Sequence, residues 1–291
     1  MPPPLPSGEL RPVPGRGQVW FRSIEGPSGS LPVVLLHGWM ATADLNFFPL
    51  FAPLGRRHRV IAPDLRGHGR SLFPQQPVTL EDAADDVAAL MRDLGTGPAI
   101  VVGYSLGTTV AQTLVARHPD LVAAIVLAAG ELHPGRRIHE RLLQRFGGWQ
   151  GSIQRLSNGR WLAHRMVDKA GRLNPSAEGL RQWLVSELER GHPAALRAAG
   201  RAHARFDGRA IAARATVPAV VVVTGQDRLV VANRQRRLAE AWRANVVDLD
   251  ADHDAPVAHP ERFVAAMLEA VETARGLAAT RPAEGRQAVA G

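Results

Sequence analysis

The 291-residue chain contains no cysteine, which excludes disulfides, thiolate metal sites and a cysteine nucleophile. It has one tyrosine, Tyr104, and one lysine, Lys169. Acid catalysis by phenols therefore has little to draw on, and positive charge rests almost wholly on arginine. No run of about 18 apolar residues occurs, so no membrane-spanning helix is expected. The first residues are rich in proline (Pro2, Pro3, Pro4 and Pro6) and lack the continuous hydrophobic segment of a signal peptide. These absences lead to the expectation of a soluble, cytoplasmic protein.

What is present reads as one large domain of ordinary composition, 45% apolar and 21% charged. Residues 1–15 read as an extended, disordered arm and residues 276–291 as a flexible tail without apolar periodicity. Between them, short apolar runs alternate with helical patterns. The runs Leu31–Leu36, Arg59–Ala62, Ala99–Val102, Ala124–Leu127 and Ala219–Val223 are rich in β-branched residues. Such continuous runs suit a parallel sheet covered on both faces. Thr79 to Leu94 reads as a helix with Thr79 as N-cap and Gly95 as its stop. A second helix spans Ser105 to His118. The alternation predicts an α/β fold built on a doubly wound, mostly parallel sheet.

About ninety residues separate the run at Leu127 from the one at Ala219, and most of them carry helical periodicity. Residues 131–212 therefore read as a helical lid inserted into a core of residues 16–130 and 213–275. The formal charge of the chain is +8. Positions 132–212 hold fifteen basic and six acidic residues, so the charge belongs to the insert. Its basic face suits anionic lipid or an acidic acyl substrate. No nucleic-acid-binding module is recognisable, and nucleic acid is not expected as a partner. Phe146, Trp149, Trp161, Leu162, Met166 and Trp183 read mainly as packing residues of the insert.

The segment that carries chemistry is Gly103-Tyr104-Ser105-Leu106-Gly107, which follows an apolar run and opens a helix. A G-x-S-x-G sequence in this context is a nucleophile elbow. The tight turn forces Ser105 into a strained backbone conformation, and the two glycines leave room for neighbouring main chain. The helix N-terminus beneath the hydroxyl favours developing negative charge. Histidines are scattered and H-E-x-x-H is absent, so no metal and no cofactor is expected.

Four motifs in order make residues 16–275 resemble the α/β-hydrolase family. They are Leu36-His37-Gly38-Trp39 after an early strand, Asp64-Leu65-Arg66-Gly67-His68-Gly69-Arg70-Ser71, the elbow at Ser105, and a C-terminal acid–histidine pair. The resemblance implies that His253, in Asp252-His253-Asp254-Ala255-Pro256, is the base. His259 is its rival, and Asp252 stands where the family usually has glycine. The acid implied is Asp227 in Gly225-Gln226-Asp227, with Asp248, Asp250 and Glu131 as rivals. The implied oxyanion hole consists of the backbone N–H groups of Leu106 and Trp39, with Met40 as the alternative to Trp39. His37, Asp64 and Arg66 are implied to brace their loops. Members with an aspartate nucleophile are disfavoured by serine at 105, and epoxide opening also lacks its lid tyrosines. The activity implied is hydrolysis of a carboxylic ester, lactone or thioester on a small acyl substrate, through an acyl-serine intermediate. The alternatives are a cofactor-free haloperoxidase or perhydrolase with the same residues, and a hydrolase-like binding protein with negligible turnover.

Overall fold

A strand buried on both faces is apolar along most of its length, and the central strands of this protein are. The computed structural model describes residues 2–72, 78–134, 167–168, 171–172 and 174–280. Strands β3 (Val33–Leu36), β4 (Val60–Pro63), β5 (Ala99–Tyr104), β6 (Val122–Ala128) and β7 (Ala219–Thr224) are almost entirely buried. With β1 (Gly8–Val13), β2 (Gly17–Ile24) and β8 (Asn245–Leu249) they form one eight-stranded sheet in the order β1-β2-β4-β3-β5-β6-β7-β8. All neighbours from β4 to β8 are parallel.

The period of two along each strand divides the core. Val34, Leu36, Val101, Ile125, Leu127, Val221 and Val223 face one layer, and Val33, Leu35, Ile100, Val102, Val126, Val220 and Val222 face the other. The first layer packs on α3 (Leu80–Asp93) and α4 (Leu106–Arg117). The second packs on α1 (Ala43–Phe47) and α2 (Phe51–Gly55). Helix α3 begins as its sequence dictates: the Thr79 hydroxyl accepts the Asp82 N–H at 2.9 Å, and Gly95 follows the helix with φ +59°.

The chain's ends correct two expectations. The segment read as a disordered arm supplies β1, paired antiparallel with β2 from Gly8↔Arg22 to Val13↔Gly17. Pro12 is tolerated because β1 is an edge strand with one neighbour. The hairpin is tied down by Arg16, which donates to Asp86 at 2.7 Å and to the Asp82 carbonyl at 2.8 Å. Asp86 also receives Arg66 through two bonds of 2.7 and 2.8 Å, so one buried carboxylate joins hairpin, loop and helix. At the other end, the final helix continues to Ala279, beyond the expected tail boundary at 276.

Between β6 and β7 most of the described residues are helical. They include α5 (Arg181–Leu188), α6 (Pro193–Arg205) and α7 (Arg209–Arg214). Helix α5 lies on α1, with Leu184 packed beside Ala41 and Leu45. Its buried Glu187 accepts Thr42 Oγ1 at 2.8 Å and Arg70 at 2.6 Å. Trp183 stacks edge-on against Phe48, a packing role. Phe146, Trp149, Trp161, Leu162 and Met166 lie outside the described residues. After β7 come α8 (Ala232–Trp242), β8, the short α9 (Ala255–Ala258) and α10 (Pro260–Ala279). Helix α8 joins the first layer and α10 the second.

Candidate active site

The C-terminal ends of β5 and β7 and the loop after β8 converge at one point above the sheet, where open α/β sheets place their ligands. Ser105 follows β5 with φ 53° and ψ −119°, a conformation that side chains other than glycine rarely adopt. The elbow needs both flanking glycines. A Cβ on Gly107 would overlap the Leu36 carbonyl, and one on Gly103 would overlap the backbone of Gly107.

His253, in the loop after β8, presents Nε2 to Ser105 Oγ at 2.9 Å and Nδ1 to Asp227 Oδ2 at 2.8 Å. Asp227 follows β7 and is buried. Its Oδ1 accepts the N–H groups of Leu229 at 2.8 Å and Val230 at 2.7 Å, and its Oδ2 also accepts Thr224 Oγ1 at 2.8 Å. These bonds fix the carboxylate before it meets the imidazole. Asp252, which stands in place of glycine, accepts the backbone N–H of His253 at 2.7 Å and of Arg228 at 3.1 Å.

The rival residues are engaged elsewhere. His259 is the N-cap residue of α10. Asp248 pairs with Arg236 at 2.7 Å, Asp250 with Arg262 at 3.2 Å and Glu131 with Arg234 at 2.5 Å.

The segment after β3 crosses directly in front of Ser105: an added Cβ on Gly38 would stand 3.2 Å from Ser105 Cβ. Gly38 N–H donates to Asn46 Oδ1 at 2.7 Å. The Gly38 carbonyl accepts His37 Nδ1 at 2.8 Å, while His37 Nε2 accepts the Leu65 N–H at 2.8 Å. The Leu65 donor thereby fixes the tautomer with hydrogen on Nδ1. His37 is fully buried next to His68. Burial and the neighbouring imidazole hold its pKa down to about 3, so the ring stays neutral and serves as a brace. Asp64 braces the adjoining loop by accepting the N–H groups of Ala43 at 2.9 Å and Arg70 at 2.8 Å. Leu106, the other expected oxyanion donor, opens α4 immediately after Ser105.

An open cleft leads to the serine. Ala41, Leu45, Val167, Leu184, Leu188 and Val257 supply its apolar walls, and Trp39, Asn46 and Asp254 also line it. Among the described residues, no arginine or lysine lines this space.

Two contributors carry little signal in sequence. Tyr104 is buried and donates its hydroxyl to the His253 carbonyl at 2.9 Å, so the elbow itself supports the histidine loop. Burial, then the nearby carboxylate of Asp227, raise the pKa of this hydroxyl well above its ordinary value. Asn46 holds Gly38 from α1, a contact that only the three-dimensional packing creates.

Comparison with known proteins gives the family. A family model described as alpha/beta hydrolase fold matches residues 32–260, and the chain belongs to that family. It is 31% identical over 256 residues to pimeloyl-[acyl-carrier protein] methyl ester esterase from Neisseria meningitidis, covering 84% of this chain and 95% of that protein. A thermophilic esterase from Thermogutta terrifontis superimposes with a TM-score of 0.74 at 26% identity, over 92% of this chain and 99% of that one. An enol-lactonase from Burkholderia xenovorans gives 0.69 at 25% identity, over 91% and 100%. The protein is thus an α/β-fold hydrolase, with ester hydrolases among its relatives.

Proposed function

We propose that this enzyme hydrolyses carboxylic esters, or closely related lactones or thioesters, through an acyl-serine intermediate on Ser105. The observation that carries the reading is the continuous relay from Asp227 Oδ2 through His253 to Ser105 Oγ, at 2.8 and 2.9 Å. His253 Nε2 takes the Ser105 proton as Oγ attacks the substrate carbonyl carbon. The resulting tetrahedral oxyanion is met by the backbone N–H groups of Leu106 and Trp39, at roughly 3–4 kcal/mol per donor. Its collapse expels the alcohol, which takes the proton back from His253. Water then attacks the acyl-serine by the same route in reverse and releases the acid. Asp227 holds the imidazole in the tautomer whose Nε2 accepts a proton, and stabilises the imidazolium.

The apolar walls of the cleft favour a neutral acyl chain. Pimeloyl-carrier-protein methyl ester, the substrate named for one relative, presents such a neutral ester, and a methyl ester of a long acyl group is a rational first substrate. We further propose that the segment between β6 and β7 acts as a lid, and that its basic face meets anionic lipid. Arg197, Arg201 and Arg205, at four-residue spacing on α6, are all exposed. Salt-sensitive cosedimentation with anionic vesicles is expected, and salt-independent or absent binding would contradict it. For the chemistry, Ser105→Ala should lose p-nitrophenyl ester hydrolysis by about 10⁴-fold or more. Retention of full activity would remove Ser105 from the mechanism.

A further inference from the structure

The oxyanion site assigned above depends on the orientation of one peptide, Gly38–Trp39. In a trans peptide the C=O and N–H point in opposite directions. The Gly38 carbonyl accepts His37 Nδ1 at 2.8 Å, so the core holds this peptide at its carbonyl end, and the Trp39 side chain anchors its other end. The Trp39 side chain is 41% exposed. It meets α6: the indole Nε1 donates to the Leu196 carbonyl at 2.8 Å. One turn further along, Gly200 lies against the ring, and a Cβ there would come within 3.2 Å of it.

Glycine within a helix is unfavourable, because the unfolded chain loses more freedom there than at alanine. Gly200 stands inside the thirteen-residue α6, and the close approach of the indole gives this glycine a packing reason. A large aromatic side chain is thus captured by a hydrogen bond at Leu196 and a flat seat at Gly200, on a segment far away in sequence.

We propose that Leu196 and Gly200 act as positioning residues for the oxyanion-binding peptide, so that docking of α6 on Trp39 sets the catalytic rate. The inference rests on the acyl-serine reading above. Docking of α6 then aligns the Trp39 N–H, and withdrawal of the helix releases the indole and lets the donor drift. The insert therefore acts on catalysis itself, beyond covering the cleft.

Two substitutions separate this role from general structural support. Gly200→Ala places a methyl group at 3.2 Å, close enough to shift the indole by a few tenths of an ångström, while improving helix propensity. The expected result is a melting temperature unchanged or raised by a few degrees, with kcat lowered by roughly threefold to tenfold. Trp39→Phe keeps an aromatic ring but loses the bond to Leu196, with kcat expected to fall about tenfold or more and KM to change less than threefold. In both variants, binding of a trifluoromethyl ketone, which forms the tetrahedral adduct, should weaken by the same factor as kcat/KM. Parent-like kcat in either variant, or a loss of kcat with unchanged ketone affinity, would overturn the proposal. Ser105→Ala in parallel tests the underlying reading: full activity there defeats both, whereas its loss with parent-like Trp39→Phe defeats the positioning role alone.

Discussion

Replacing Asp227 with asparagine changes one atom and one charge, and the surroundings dictate how the new side chain sits. The N–H groups of Leu229 and Val230 both point at Oδ1, at 2.8 and 2.7 Å. The amide oxygen must take that position, because an NH₂ group there would face two donors. The NH₂ is then left at the Oδ2 position, 2.8 Å from His253 Nδ1. The Thr224 hydroxyl can rotate and accept from it, but His253 Nδ1 must now be an acceptor. Its proton moves to Nε2, which points at Ser105 Oγ and can no longer receive the serine proton. The wrong tautomer in an otherwise intact serine hydrolase costs about 10⁴ in kcat, or about 5.4 kcal/mol in the barrier. Steady-state hydrolysis of p-nitrophenyl hexanoate by Asp227→Asn, normalised to folded protein by near-UV circular dichroism, measures this directly. A kcat within tenfold of the parent would refute the tautomer argument. An equivalent loss in Glu131→Gln instead would move the acid to the strand end after β6.

Tyr104→Phe leaves the His253 carbonyl without its 2.9 Å partner; about 1–2 kcal/mol of stability and several-fold in kcat should be lost, read by urea denaturation and ester hydrolysis. The cleft should discriminate by charge, so kcat/KM for mono-p-nitrophenyl adipate is expected at least about tenfold below that for the hexanoate; equal values would contradict an apolar acyl site. Stability should fall with acid. His37, His68 and His203 have pKa values held at about 3, about 4 and about 4, in each case mainly by burial. The unfolded chain, with imidazoles near 6.5, therefore binds more protons below that pH. Asp64, raised by burial to about 6, acts in the opposite sense between about 6 and 3.8, because there the folded state holds the extra proton. Asp86, also raised by burial, acts in the same sense as Asp64, and near pH 5 the three imidazoles outweigh the two carboxyls, so stability is lost as the pH falls through that range. Urea midpoints at pH 7, 6 and 5 should decline accordingly, and a flat series would exclude neutral burial of these rings.

Much of the sheet is legible in sequence because strands buried on both faces leave continuous apolar runs, as Val101, Val126 and Val221 show. The hairpin of β1 and β2 is hidden. An edge strand tolerates Pro12 and exposed polar residues, and its stability comes from Arg16 reaching Asp86 in a distant helix. Ser105 announces itself, because the elbow needs glycine at 103 and 107 to avoid overlapping main chain. His253 and Asp227 are identified by family resemblance; their approach to within hydrogen-bonding distance is a property of the fold. The roles of Tyr104, Asn46 and Gly200 leave no local pattern, since each consists of a contact between segments remote in sequence.

The central claim is that Ser105 carries the acyl group. Rapid-quench mass spectrometry during turnover of p-nitrophenyl hexanoate should find a hexanoyl adduct on the Ser105 peptide, formed with a burst of p-nitrophenol equal to the enzyme concentration when deacylation is the slower step. The adduct should be absent from Ser105→Ala. Hydrolysis at the parent rate by Ser105→Ala, or a trapped acyl group on another residue, would contradict the account.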